Sequence, residues 1–168
     1  RLGRLFASSY PSHGIYTFTP EGRLLNVWVS SGAGPGYFYS PWAVAVSGSG
    51  RVYVSDILNR RIQEFGMDGR FVRAWGGPGD GNGQFGTGAY DYDGPRSLAV
   101  GQDGHVFVTD ACHHRVQEFT ADGQFVKAWG REGAGHYEFR YPDGIAADSA
   151  NNLYVVDSGN FRIKKFSP

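Results

Sequence analysis

Hydrophobic and polar residues alternate with a period of two along most of the chain, in short stretches separated by turns. The stretches "RVYVSD" (Arg51–Asp56), "RRIQEF" and "RFVRAWG" follow one another with breaks at "ILN" and "GMDG". Such alternation is typical of half-buried β-strands, and glycine supplies the positive φ that tight turns between them require. Together with "WAVAV" (Trp42–Val46), the pattern predicts four consecutive antiparallel strands, which we name a to d in chain order.

This four-strand pattern recurs along the chain. "VYVSDILNRRIQEFGMDGRFVRAWG" (Val52–Gly76) returns as "VFVTDACHHRVQEFTADGQFVKAWG" (Val106–Gly130) and, shortened, as "LYVVDSGNFRIKKFSP" (Leu153–Pro168). A more divergent copy, "LFASSYPSHGIYTFTPEGRLLNVWV", covers Leu5–Val29. Equivalent residues are 47, 54 and 47 positions apart, and an insertion near "GTGAYDYDG" accounts for the longer middle spacing. Repeats of this length, built from strands alone, predict the blades of a β-propeller.

We therefore predict an all-β fold, a single propeller domain of which this chain contains about three and a half four-stranded antiparallel blades. Residues 1–37 are predicted to form a partial blade of strands b, c and d, and residues 38–84 a complete blade. Residues 85–138 form a blade with an insertion in its d–a loop, and residues 139–168 a partial blade of strands a, b and c. Open ends would expose sheet edges, so we expect other blades of a longer protein, or another chain, to cover them.

The repeats resemble the NHL repeat, whose pattern is approximately F-x-x-P-x-G-I-A-V, Y-V-x-D-x-x-N-x-R-I-Q-x-F, D-G-x-F and W-G. Here it reads "FYSPWAVAV", "VYVSDILNRRIQEF" and "DGRFVRAWG", and later "FRYPDGIAA" and "VVDSGNFRIKKF". The first copy departs from the pattern, with Ser9 at the aspartate position and Gly14 at the arginine position. The resemblance implies a β-propeller, a fold that does not by itself decide the function.

In three copies an aspartate ends strand b and an arginine begins strand c. These pairs are Asp56–Arg61, Asp110–Arg115 and Asp157–Arg162. Across a tight hairpin they can form charge-assisted hydrogen bonds that fix the b–c loop. Carboxylates of an acid–base site are the alternative, but repetition favours a structural role. Large aromatic residues of strands c and d are predicted to pack between blades: Phe65, Phe119, Phe166, Trp28, Trp75 and Trp129.

The segment "ACHH" (Ala111–His114) is specific to its blade and places the only cysteine beside two histidines. A zinc site needs three or four convergent ligands, and three adjacent residues cannot all face one ion without strain. A catalytic Cys–His pair would also need an orienting group. We therefore predict no metal, no cofactor and no catalytic residue, and expect His113 and His114 to lie on a polar loop surface that can bind a partner.

Residues that vary within the constant frame are the better candidates for recognition. Directly after the proline that opens strand a, successive blades carry Trp42, Arg96 and Asp143. Strand a lines the channel of a propeller, and the d–a and b–c loops share one face, so we expect these residues at the channel mouth. Arg60, in a b–c loop, belongs to the same face.

The insertion is assigned to this face as well. Its Tyr90 and Tyr92 offer rigid aromatic contact area, and Asp91 and Asp93 offer charge. Two carboxylates fall short of the six to eight oxygen ligands that calcium takes. The open alternatives are therefore contact with a partner and a passive loop.

The balance of charged residues limits the classes of partner that the chain is expected to bind. The 168 residues include 16 basic and 16 acidic side chains, so no overall field attracts nucleic acid or an anionic membrane. No apolar run approaches the roughly 20 residues of a membrane helix. Because the chain begins at Arg1, we expect a processed protein or a segment of a longer one. We favour a secreted or cell-surface location.

Together these features predict a non-catalytic module that binds a protein, peptide or glycan partner through the loop face around the central channel. Two alternatives stay open. The chain could be a segment of a propeller lyase or hydrolase with its active residues in other blades. It could also be an RNA-binding domain that uses arginines such as Arg60, Arg96, Arg131 and Arg140, although acidic residues lie nearby in sequence.

Overall fold

The computed structural model of the chain describes residues 3–86 and 94–167, which form four antiparallel sheets. Each sheet contains one repeat, and its strands lie side by side in chain order. The prediction of an all-β propeller fold with antiparallel blades is confirmed. Within the described ranges no helix has the length and apolar character of a membrane span.

Two sheets have three strands and two have four. Blade 1 contains β1 (Leu5–Ser9), β2 (Gly14–Phe18) and β3 (Leu24–Val29), which are strands b, c and d. Blade 2 contains β4 (Pro41–Val46), β5 (Arg51–Asp56), β6 (Arg61–Gly66) and β7 (Phe71–Gly76). Blade 3 contains β8 (Pro95–Val100), β9 (Val106–Asp110), β10 (Arg115–Phe119) and β11 (Phe125–Trp129). Blade 4 contains β12 (Pro142–Ala147), β13 (Leu153–Asp157), a 3₁₀ turn (Ser158–Asn160) and β14 (Arg162–Phe166), and its strands are a, b and c.

The hydrophobic core lies between the blades. The indole of Trp75 on strand d of blade 2 lies 6.0 Å from the ring of Phe119 on strand c of blade 3. Phe85, which is fully buried, packs 5.9 Å from the same Phe119 ring. The other two junctions repeat this contact, with ring distances of 5.6 Å for Trp28–Phe65 and 6.1 Å for Trp129–Phe166. The predicted packing of these aromatic residues between blades is confirmed.

Two of these indoles, Trp28 and Trp75, also lie over a glycine in the c–d turn of the next blade. A Cβ atom placed on Gly69 would come within 2.5 Å of Trp28 Nε1, and one on Gly123 within 2.6 Å of Trp75. These two glycines have φ of +87° and +80°, a conformation that L side chains rarely adopt. The D-G turn of one repeat and the W-G motif of the repeat before it are therefore two sides of one contact.

A hydroxyl group links each blade to the next, and it is buried in blades 2 and 3. In blade 2, the register of strand a shifts between Pro41 and Val44. Within this irregular segment, the N–H of Ala43 donates to Ser55 Oγ over 2.9 Å. Ser55 Oγ in turn donates to the carbonyl of Arg96 in blade 3 over 2.7 Å. One hydroxyl thus satisfies its own strand a and fixes the backbone of the next one.

Blades 1 and 3 contain the same link. Ser8 donates to the carbonyl of Trp42 over 2.7 Å, and Thr109 donates to the carbonyl of Asp143 over 2.6 Å. In blade 4 the position is taken by Val156, which has no hydroxyl group. The preceding blade therefore holds in place the backbone of the residue after the first proline of strand a, which is Trp42, Arg96 or Asp143.

We expect the Ser55→Ala variant to lower the free energy of unfolding by about 1–3 kcal/mol, because it leaves the partly buried Ala43 N–H and Arg96 carbonyl without their partner. Urea unfolding measures this loss. Ser49→Ala, at an exposed turn position, is the matched control and should stay within about 0.5 kcal/mol of wild type. Equal losses in the two variants would contradict the proposed link.

Candidate functional site

A buried aspartate organises each b–c loop of blades 2 to 4. Asp56 is fully buried, and it accepts hydrogen bonds from Arg61 Nε at 2.9 Å and Gln63 Nε2 at 3.0 Å. Asn59 Nδ2 in the loop and the backbone N–H of Tyr39 also donate to it, at 2.8 and 2.7 Å. The predicted Asp–Arg pairs are present in all three blades, at 2.8 Å for Asp110–Arg115 and Asp157–Arg162.

The arginine of each pair reaches the d–a loop that enters its blade. The terminal nitrogens of Arg61 donate to the carbonyls of Ala33, Gly34 and Tyr37 over 2.7–2.9 Å. The two kinds of loop are therefore neighbours at one end of the sheets. We call this end the loop face, and it consists of the b–c loops 10–13, 57–60, 111–114 and 158–161 and the described d–a segments 30–40, 77–86 and 130–141.

In blade 3 a histidine joins the ion pair. His113 Nδ1 lies 2.9 Å from both carboxylate oxygens of Asp110, and its Nε2 lies 2.8 Å from Oδ1 of Asp80 in the preceding d–a segment. The corresponding Asn59 of blade 2 donates instead to the carbonyl of Gly32. The hydrogen bond to Asp110 raises the pKa of His113 above its usual value, although burial acts in the opposite direction. Only the protonated ring can donate to both carboxylates at once.

His114 is also engaged in the structure. Its Nδ1 accepts a hydrogen bond from the backbone N–H of Tyr141 in blade 4 at 3.0 Å, and its ring meets that of Tyr141 at 4.7 Å. His113 and His114 are both half-buried. They are thus tied into contacts between blades more closely than the expected polar surface implies, and their role in binding stays a prediction.

No group of three or more His, Cys, Asp or Glu side chains within residues 3–86 and 94–167 is arranged to hold a metal ion. Cys112, between the buried Ala111 and His113, is half-buried and forms no disulfide.

Two of the three variable residues of strand a come together beside the loop face. The guanidinium carbon of Arg96 lies 4.8 Å from the centre of the Trp42 ring, in a cation–π arrangement. The ring of Tyr10 meets Trp42 edge-on, with centroids 6.3 Å apart. Trp42 keeps 37% of its surface exposed. Asp143 is half-buried at the same point of blade 4, while Tyr90, Asp91, Tyr92 and Asp93 lie outside the described residues.

Beside this pair, a cleft of about 550 Å³ opens between blades 1 and 2. Its walls come from the b–c loops of both blades and from the d–a segment between them: Tyr10, Pro11, His13, Tyr39, Ser40, Leu58 and Arg60. Of these residues, the sequence analysis singled out only Arg60. His13 occupies the position of Arg60 and His114 in the first repeat, which departs from the pattern of the others.

The last residue of every b–c loop has a positive φ. The values are 51° for His13, 52° for Arg60, 53° for His114 and 54° for Phe161. This left-handed conformation is uncommon for residues other than glycine, and its recurrence in four blades makes it a property of the loop geometry. The position directs different side chains toward the junction with the next blade, because His13 and His114 each accept a backbone N–H from that blade.

The family model of the NHL repeat matches residues 92–119 and 139–166. Two segments of the chain therefore match the NHL repeat, one in blade 3 and one in blade 4. Each match contains the buried aspartate, the arginine and the strand c phenylalanine described above. No curated protein sequence matches the chain.

Three solved structures that resemble this chain are propellers of similar fold and distant sequence. A streptogramin B lyase structure is 16% identical, with a TM-score of 0.65, over 99% of this chain and 51% of the other. A virginiamycin B lyase from Staphylococcus aureus is 16% identical, with a TM-score of 0.64, over 98% and 52%. A protein of unknown function from Bacteroides caccae is 17% identical, with a TM-score of 0.62, over 98% and 57%. The chain spans about half the length of these structures, and the likeness concerns the fold.

The ion pair of the NHL blade can be tested at Asp110. We expect the Asp110→Ala variant to lose about 1–3 kcal/mol of unfolding free energy, because Arg115, Gln117 and His113 lose a buried acceptor. The loss is measured by urea unfolding against Glu21→Ala, an exposed carboxylate that should change little. Full stability of Asp110→Ala together with lost binding would contradict its structural role.

The raised pKa of His113 predicts a dependence of stability on pH. The protonated ring stabilises the folded chain fully below the ordinary histidine value of about 6.5. This contribution is lost as the pH rises through the raised pKa of the folded state. The His113→Asn variant, which has the asparagine of blades 2 and 4, should lack this loss. Unfolding free energies of both proteins across this range measure the difference, and identical pH profiles would refute the assignment.

Proposed function

We propose that this chain is part of a non-catalytic NHL-type propeller that binds a protein, peptide or glycan partner through its loop face. The observation that supports the proposal is the pairing of Trp42 with Arg96 next to the cleft. Tryptophan and arginine are the residues most often found at binding hot spots. Both stand on a backbone that the hydroxyl groups of the preceding blade hold in place.

The division between constant and variable positions also supports a binding role. Residues that hold the blades together repeat from blade to blade, as the aspartates, arginines and interblade aromatic residues do. The residues of the proposed surface differ at equivalent positions, with Trp42, Arg96 and Asp143 on successive blades. A surface that varies on a rigid frame is a common arrangement for recognition.

A propeller lyase is the second candidate, and the structural neighbours favour it. Two of them are lyases, and a further structure is a catalytically inactive virginiamycin B lyase with quinupristin, 15% identical to this chain. Because this likeness concerns the fold and covers about half of those chains, it supports the lyase only as an alternative. Turnover of quinupristin by the protein that contains this chain would favour the lyase over the binding module.

The proposal predicts that Trp42→Ala weakens partner binding at least tenfold, since truncating a hot-spot residue costs about 2 kcal/mol or more. Immobilised wild type and variant are compared for the proteins that they retain from an extract of the source organism, by quantitative mass spectrometry. Trp42→Ala also loses the contacts to Arg96 and Tyr10, which predicts a stability loss of about 1 kcal/mol. Urea unfolding must therefore confirm that the variant is folded.

Val126→Ser is the matched control, because Val126 is exposed on the outermost strand of blade 3, away from the loop face. Partners that bind the loop face are retained by wild type and by Val126→Ser and are depleted at least tenfold with Trp42→Ala. The same proteins retained in the same amounts by all three would show that Trp42 is not part of a binding surface.

A further inference from the structure

The cleft between blades 1 and 2 presents hydrogen-bond donors. The backbone N–H of Ser40 donates to Nδ1 of His13 over 3.0 Å. A ring nitrogen that accepts a hydrogen bond carries no proton, so the neutral His13 has its proton on Nε2. A contact between two blades thereby fixes the tautomer of a residue that lines the cleft, and the ring nitrogen that remains is a donor.

Arg60 contributes a positive charge to the cleft, and some of its N–H groups have no hydrogen-bond acceptor within the part of the chain that the structure describes. Its Nη1 donates to the carbonyl of Leu58 at 3.3 Å. Its Nε is buried and has no hydrogen-bond partner among residues 3–86 and 94–167. A guanidinium has five N–H groups, so its terminal nitrogens keep donors for a ligand beyond the bond to Leu58.

Among residues 3–86 and 94–167, no acidic side chain contributes to the walls of the cleft, although the chain as a whole carries as many acidic as basic residues. The remaining polar groups of the walls are the hydroxyls of Tyr10, Tyr39 and Ser40, which can donate as well as accept. The site is thus complementary to an acceptor with negative charge, and the natural partner of a guanidinium is a carboxylate, which it can bind through two parallel hydrogen bonds.

The aromatic residues favour a peptide over a sugar as the carrier of that carboxylate. Arg96 covers one face of the Trp42 ring, and the ring of His13 lies 5.2 Å from that of Tyr39. A sugar would need an open ring face to stack on, whereas peptide side chains can pack against the exposed edges of Tyr10 and Tyr39. Apolar contact is also available from Pro11 and Leu58 on opposite walls.

We infer that this cleft binds a carboxylate of an acidic peptide segment, held by Arg60 and by Nε2–H of His13, with neighbouring apolar side chains of the peptide against Tyr10 and Tyr39. The inference rests on the proposed function and deepens it, because it names the chemistry of the partner at one place on the loop face. Both donor residues line the same cleft.

The test uses two blocked tripeptide probes, acetyl-Phe-Glu-Phe-amide and acetyl-Phe-Gln-Phe-amide, which differ only in the charge of the central side chain. Binding to the wild-type protein is followed by the ¹H–¹⁵N NMR shifts of the Ser40 amide and the Arg60 Nε–H group. We expect the glutamate peptide to bind at least tenfold more tightly than the glutamine peptide and to weaken as salt is added.

The Arg60→Gln variant should remove this tenfold preference, and Arg60→Lys, which keeps the charge, should retain part of it. Equal binding of the two peptides, or no shift at Ser40 and Arg60 with either, would overturn the inference. Tighter binding of glucuronic acid than of the glutamate peptide would overturn it as well, in favour of an acidic glycan. Each of these failures leaves the comparison of wild type with Trp42→Ala unaffected, so the proposed function is judged separately.

Discussion

The loop face depends on a fully buried carboxylate at the end of strand b. A charge without contact to water is costly unless donors surround it. For Asp56 the donors come from the b–c loop, from strand c and from the incoming d–a loop. The carboxylate therefore allows only those loop conformations that place all these donors around it. In blade 1 the aspartate position is occupied by Ser9. The cleft lies beside this blade. There the loop is joined to its neighbour by His13 and the amide of Ser40.

Sequence reasoning predicted the fold closely because each strand is marked by alternation and each turn by its chemistry. The Asp–Arg pairs and the interblade aromatic residues were predicted from their repetition. The hydroxyl link was missed, although serine or threonine precedes the aspartate position at Ser8, Ser55 and Thr109. A small polar residue in a strand gives no sign of which blade it contacts. The cleft was missed for a related reason, since its walls combine two blades and a repeat that departs from the pattern.

The two histidines of the "ACHH" segment illustrate the same limit. Their residue types suggested exposed polar groups or ligands, but each ring is defined by a partner far away in sequence. His113 reaches Asp80 in the preceding d–a segment, and His114 accepts from the amide of Tyr141 in the next blade. Such contacts depend on how one repeat is placed against another. The pattern within a single repeat carries no information about them.

The contact between the indole of one blade and the c–d glycine of the next has a consequence for how such chains can change in length. Trp28 over Gly69 and Trp75 over Gly123 are the same junction, made from the end of one repeat and the turn of the following one. Duplication or deletion of a whole repeat recreates this junction with no new side chain needed. A gene rearrangement that cut within a repeat would instead leave an indole facing a residue with a side chain. Propellers of this type can therefore gain or lose blades in whole units while their loop faces diversify independently.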